Sequence, residues 1–112
     1  MLVNSESRFK KDDIVALKNI LGEEIICTYV SESDTHYVIQ QPFAMAMGPQ
    51  GQGAGFAPPV MFGESPKTYK GDVDIRKDHC LFAVPAREDI IAAYKSETTG
   101  IMVPQKDTKI IT

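Results

Sequence analysis

The side chains that could support acid–base, nucleophilic or metal chemistry are few. Asp78 and His79 are adjacent and could supply an acid and a base, but no third residue that would orient them and no nucleophile can be placed beside them. His36, His79, Cys27 and Cys80 do not have the spacing of a zinc-finger ligand set. We therefore predict no catalytic residue, no metal and no cofactor, and we expect that the protein is not an enzyme.

A glycine-rich segment at residues 48–55 has the glycine content of a phosphate-binding loop. It lacks the Lys-Ser or Lys-Thr ending of such loops, and Pro58 and Pro59 follow where a helix should begin. The segment therefore predicts a loop and not a nucleotide site.

The composition is that of one ordinary globular domain, with 112 residues of which 43% are hydrophobic. A net charge of -3 does not favour a protein that grips the phosphates of duplex DNA. Cys27 and Cys80 lie in apolar runs, which indicates buried free thiols in a reducing compartment. No apolar run approaches the roughly 18 residues of a membrane span, so we expect a cytoplasmic protein that does not enter a membrane.

Residues 14–84 carry the strand patterns, in two blocks at residues 14–43 and 73–84. They follow a polar N-terminal segment at residues 1–13, and Phe9 is the one clear apolar anchor of residues 4–13. Residues 14–17, 25–30 and 36–41 have β-branched or alternating apolar character, with turns at residues 19–22 and 31–34. Residues 25–30 are apolar on both alternating faces, which requires cover on both sides. Pro42 is predicted to end the third strand, because proline cannot donate to a strand ladder.

An uncharged stretch at residues 44–63 separates these strands from a second strand-like block at residues 73–84, and we predict a variable loop at residues 44–66. The two blocks together predict a mainly β fold, a small and strongly bent antiparallel barrel of five strands.

Residues 85–112 form the predicted C-terminal helix and tail. Pro85 and the acids Glu88 and Asp89 are typical of a helix start, and Gly100 of a helix end, so we predict a helix over residues 86–98. The period of 3.6 residues places three apolar side chains on the face that packs on the barrel, namely Ile90, Ile91 and Tyr94. The tail at residues 101–112 alternates weakly and could add an edge strand.

Two short motifs resemble those of the Sm and Sm-like (Lsm, Hfq-type) family. The first is the Gly-Glu-Glu-Ile-Ile run at residues 22–26 followed by an acidic turn at Asp34 and a third strand. The second is the Ile-Arg-Lys-Asp-His-Cys run at residues 75–80, in which Lys77 replaces the family's glycine and Cys80 its aliphatic residue. The sequence is also similar to the Sm-like proteins of T4-like bacteriophages and cyanophages, which share the long Pro- and Gly-rich loop and the helix after the last strand.

The resemblance implies a five-stranded barrel whose edge strands pair between subunits in a homo-oligomeric ring of about five to seven copies. It also implies binding of single-stranded RNA at the inner rim, in which an aromatic or His face stacks on a base and Arg neutralises phosphate. The candidate RNA-binding residues are Asp34, His36, Tyr37, Arg76, Lys77 and Asp78. The family's asparagine in the first turn has no equivalent, since no asparagine follows Asn19.

A second hypothesis keeps the ring without the RNA. The same fold could serve as a structural or interaction module that docks a protein partner through apolar side chains of the inserted loop. These side chains are Met45, Met47, Phe56, Met61 and Phe62. The acidic pI and the missing asparagine favour this hypothesis, whereas the turn residues favour RNA.

Overall fold

The computed structural model describes residues 8–47 and 53–100. Its elements, in chain order, are β1 (Ile14–Asn19), β2 (Glu24–Glu32), β3 (His36–Met47), β4 (Ala54–Ala57), β5 (Asp72–Arg76), β6 (Cys80–Pro85) and α1 (Glu88–Thr99). A single 3-10 turn at Lys77–His79 joins β5 to β6.

All paired strands are antiparallel, in the order β4-β3-β2-β1-β6, and β5 lies beside β3. The predicted mainly β fold is confirmed. The expected barrel of five strands differs from the structure, which has an open sheet of six strands over the described residues. The sheet stays open because β4 and β5 pair only with β3, and β6 only with β1, among these residues.

The third strand continues past Pro42, contrary to the sequence-based prediction. Cys27 of β2 lies opposite both Gln41 and Pro42, because Ile26 pairs with Phe43 and Thr28 with Gln40. This is a β-bulge, where a proline costs no ladder hydrogen bond. Residues 44–47 then pair with β4, so a hairpin occupies part of the predicted variable loop.

The two faces of β2 contact two separate hydrophobic clusters, as the apolar pattern of residues 25–30 predicted. Ile25, Cys27 and Tyr29 pack in the cluster that also holds Phe9, which is buried as expected. Ile26 packs in the second cluster, under α1.

The helix covers part of one face of the sheet, called here the helix side. Ile90 and Tyr94 are buried against it and Ile91 packs beside them, which confirms the predicted contact face. The helix begins at Glu88, two residues later than predicted, because Arg87 is still extended. It ends at Gly100, whose φ of 75° is the left-handed conformation typical of a helix end.

No helix in the described ranges has both the length and the apolar character to cross a bilayer. The predicted edge strand of the tail and the first seven residues of the polar N-terminal segment lie outside the described residues.

Candidate functional site

The β2–β3 turn and the 3-10 turn lie side by side at one end of the sheet. The antiparallel register of β3 and β5 places His36 opposite Arg76 and Tyr37 opposite Ile75. The backbone N–H of Lys77 donates to the carbonyl of Thr35 at 2.8 Å, which fixes the two turns to each other. The sequence-predicted residues from both motifs therefore lie in one place, called here the rim site.

Ser33 holds the first turn in shape. Its hydroxyl accepts the backbone N–H groups of Thr35 and His36 at 3.3 and 3.1 Å. The side chains of Thr35 and His36 then hydrogen-bond through Oγ1 and Nδ1 at 2.7 Å, which fixes the orientation of the half-buried imidazole.

Arg76 and Asp78 form a bidentate pair. Nε and Nη2 of the guanidinium donate to the two carboxylate oxygens at 3.0 and 2.8 Å. The hydrogen bond from Arg76 lowers the pKa of Asp78, and the same bond raises the pKa of Arg76. Both side chains are exposed, so the pair adds little to stability but holds the guanidinium in a fixed plane.

Lys77 and Tyr37 form the less exposed part of the rim site. Nζ of Lys77 lies 2.6 Å from Oε2 of Glu32 and 5.2 Å from the centroid of the Tyr37 ring. The other oxygen of Glu32 accepts the hydroxyl of Tyr29 at 2.7 Å. Burial raises the pKa of Tyr37, and the negative charge of Glu32 raises it further.

A shallow cavity of about 340 Å³ opens between the two turns. Its walls are Asp34, Thr35, Arg76, Lys77 and Asp78. His36 and Tyr37, the two candidate stacking residues, follow on β3 but do not line the cavity. Successive side chains of a strand point to opposite faces, and Tyr37 is the one that packs against the core. The cavity thus combines hydrogen-bond donors and acceptors, which can contact the edge of an unstacked base or a phosphate.

The rim site has more acidic than basic side chains. Its two cations, Arg76 and Lys77, are paired with Asp78 and Glu32, and Asp34 adds a third carboxylate. A bound phosphate would have to displace these internal partners. Sequence reasoning missed Glu32 as a residue of the rim site. Its position at the end of β2, beside the acidic turn, could have indicated it.

Asp78 and His79, the adjacent acid and base of the sequence, lie near each other on the surface. Nε2 of His79 lies 3.9 Å from Oδ1 of Asp78, and both side chains are exposed. Within residues 8–47 and 53–100, no three His, Cys, Asp or Glu side chains are grouped so as to hold a metal ion. Burial raises the pKa of Cys27 and of Cys80, so both thiols are poorly activated.

The last strand carries large apolar side chains on its surface. Leu81 and Phe82 are 59% and 65% exposed, and Val84 is also exposed. The register skips from Asn19–Cys80 to Lys18–Phe82, which makes Leu81 the extra residue of a β-bulge. This apolar surface adjoins the edge of β6 for which the described part of the chain provides no strand partner.

Comparison with protein-family models gives no match to this sequence, and comparison with curated proteins gives none at a significant level either.

Proposed function

We propose that this chain is the subunit of an Sm-like homo-oligomeric ring that binds single-stranded RNA at the rim site. The observation that carries the proposal is the pair of strand edges on β5 and β6, which have no strand partner in the described residues, together with the exposed apolar side chains of β6.

The two edges favour assembly because proteins pair or cover exposed strand edges. In the proposed ring, β5 of one protomer pairs with β6 of the next, antiparallel like every strand pair inside the protomer. Such a contact joins two different surfaces and therefore repeats head to tail until the ring closes. The bulge at Leu81 and the side chain of Phe82 would then be covered by the neighbour.

Ring closure would bring one rim site from each protomer to a common opening. His36 and Tyr37 would stack on bases, and Arg76 and Lys77 would meet phosphates. Since both cations have internal acidic partners, binding should be weak and its dependence on salt concentration should be shallow.

Assembly is tested with Leu81→Glu. A carboxylate at this exposed position costs the isolated protomer little, but it cannot be buried in a subunit contact without a large penalty. Light scattering should show rings for the wild type and monomers for Leu81→Glu, while Lys95→Glu on the exposed surface of α1 should leave rings intact. A wild type that stays monomeric at micromolar concentration contradicts the proposal.

RNA binding is tested by fluorescence anisotropy with short U-rich and A-rich single strands and a duplex control. Arg76→Ala should lower both affinity and salt dependence. Tyr37→Ala should cost about 1–3 kcal/mol if its ring stacks on a base. Because Tyr37 also packs against the core, circular dichroism must show that the variant is folded. The RNA assignment is contradicted if the wild type does not bind RNA at low salt, or if both variants bind RNA with the affinity of the wild type.

A ring that docks a protein partner is the second candidate. Two observations favour it, the internal pairing of both rim-site cations and the exposure of Met47, Met61 and Phe62. Phe56 does not share this exposure, because it packs against Phe43 and Tyr94. Rings that form normally but bind no RNA would support this candidate.

A further inference from the structure

The connection between β4 and β5 carries an apolar tip, defined here as Val60, Met61 and Phe62. Met61 is 84% exposed and Phe62 is 95% exposed, so their own protomer provides no cover for them. Neighbouring exposed apolar side chains of this size mark interaction surfaces.

The base of the same connection is held on the helix side of the sheet. Nε2 of Gln41 donates to the carbonyl of Pro66 at 2.8 Å. Nζ of Lys67 lies 3.0 Å from Oε2 of Glu97 in the last turn of α1. The base of the connection therefore lies beside the bulge of β3, between the segments of β3 that pair with β5 and with β4.

An open groove lies on the helix side at the other end of α1. The helix begins only at Glu88 and leaves part of the sheet uncovered there. The groove has a volume of about 540 Å³, and its apolar walls include Ala16, Ile26, Met45, Met47, Val84 and Ile90. Met47 is 73% exposed, and the flexible methionine side chains can adapt to an inserted group.

We propose that the apolar tip of one protomer inserts into the helix-side groove of the next. The inference rests on the ring proposed above and identifies a second contact within it. If β5 of one protomer pairs antiparallel with β6 of its neighbour, the start of β5 at Asp72 lies beside the end of β6 at Pro85. The connection that leads into Asp72 carries the apolar tip, and Val84, Pro85 and the start of α1 line the groove. The strand contact would thus bring the base of the connection, which is held on the helix side, toward the groove, and the short segment between Phe62 and Pro66 would let the tip reach it.

The second contact also supplies surface that strand pairing alone lacks. The β5 strand has only five residues, whereas a stable interface buries about 800 Å² on each partner. One phenylalanine side chain buries about 150–250 Å², so Phe62 with its two apolar neighbours adds a substantial fraction. The occupant is therefore a second copy of this chain.

Disulfide crosslinking between two different variants tests the contact directly. Phe62→Cys and Met47→Cys are each made with Cys80→Ala, and the two proteins are refolded together, so that every Phe62–Met47 crosslink joins two chains. Cys27 is fully buried and stays in both. We expect the mixed disulfide at several times the yield obtained when Met47→Cys is replaced by Lys95→Cys as the control.

Assembly of Phe62→Asp provides the second readout. The side chain is exposed in the protomer, so folding should be unaffected, while the concentration for half-assembly should rise at least tenfold. Rings that form normally in Phe62→Asp, or that give no crosslink above the control, overturn this inference and leave the ring itself intact. If the wild type forms no ring, the strand contact and the tip contact fail together.

Discussion

Replacing Tyr94 by phenylalanine should destabilise the protein, because one hydroxyl joins α1 to two strands. Tyr94 is 1% exposed, and its hydroxyl lies 2.9 Å from Oγ1 of Thr28 on β2 and 2.8 Å from the carbonyl of Gln41 on β3. The hydroxyl of Tyr94 donates to the Gln41 carbonyl, so Thr28 can donate to Tyr94. The phenylalanine variant removes both hydrogen bonds and the longer one, of 3.3 Å, to the carbonyl of Gln40.

The expected loss follows from the groups left behind. A buried polar group that loses its partner costs about 1–3 kcal/mol, so we expect about 2 kcal/mol for Tyr94→Phe. The backbone of Gln41 should increase this loss of stability. Its φ of 50° is unfavourable for a residue with a side chain, and the hydrogen bond from Tyr94 to its carbonyl stabilises that conformation. The edge-to-face contacts of the ring with Phe43 and Phe56 remain in the variant, so the measurement isolates the hydroxyl.

Urea unfolding followed by circular dichroism measures the effect. With a typical slope of about 2 kcal/mol per molar urea, the midpoint should fall by about 1 M with the slope unchanged. Tyr69→Phe, at an exposed tyrosine, is the matched control and should stay within about 0.5 kcal/mol of the wild type. A Tyr94→Phe midpoint equal to that of the control, or strict additivity with Thr28→Val, refutes the reasoning.

Three further predictions concern single residues. Burial raises the pKa of Cys27 in the folded state above 9.0, its ordinary value, so the thiol ionises first in the unfolded chain. The free energy of unfolding should therefore fall as the pH rises above 9.0. Urea unfolding over a series of pH values, compared with Cys27→Ala, measures this fall. Gly22→Ala should cost about 1 kcal/mol in urea unfolding through backbone strain alone, since φ is 87° and the added Cβ meets nothing within 4 Å. Asp78→Asn should release Arg76 and increase the affinity and salt slope for single-stranded RNA in anisotropy titrations, and unchanged titrations would show that Arg76 does not contact the strand.

The elements with a clear period were predictable from sequence. The two-faced apolar pattern of residues 25–30 indicated cover on both sides of β2, and the helical spacing of Ile90, Ile91 and Tyr94 gave the contact face of α1. The continuation of β3 was not predictable, because Pro42 is compatible with a strand only where a bulge removes the need for its N–H. That bulge depends on the register of β2 against β3, a tertiary property that local propensity does not contain.

The rim site was predictable in its location but not in its internal pairing. The resemblance of the two motifs to those of the Sm-like family predicted the two turns that lie side by side in the structure. It gave no indication that Lys77 contacts Glu32 and the ring of Tyr37, because these contacts join the 3-10 turn to β2 and β3, and Glu32 is 45 residues away in the chain. Whether the six candidate residues bind RNA stays a prediction.

The two proposed properties should be separable by mutation, because they depend on different parts of the protomer. The proposed assembly would depend on apolar groups that the protomer leaves exposed on β6 and on the apolar tip, because these groups gain hydrophobic free energy when a neighbour covers them. The proposed RNA binding would depend on rim-site cations whose acidic partners must first be displaced. Leu81→Glu should therefore abolish rings and, if only the assembled rim binds, RNA binding with them. Arg76→Ala should weaken RNA binding and leave the rings unchanged. RNA binding by monomeric Leu81→Glu at wild-type affinity would show that one rim site is sufficient and that the ring is not needed for recognition.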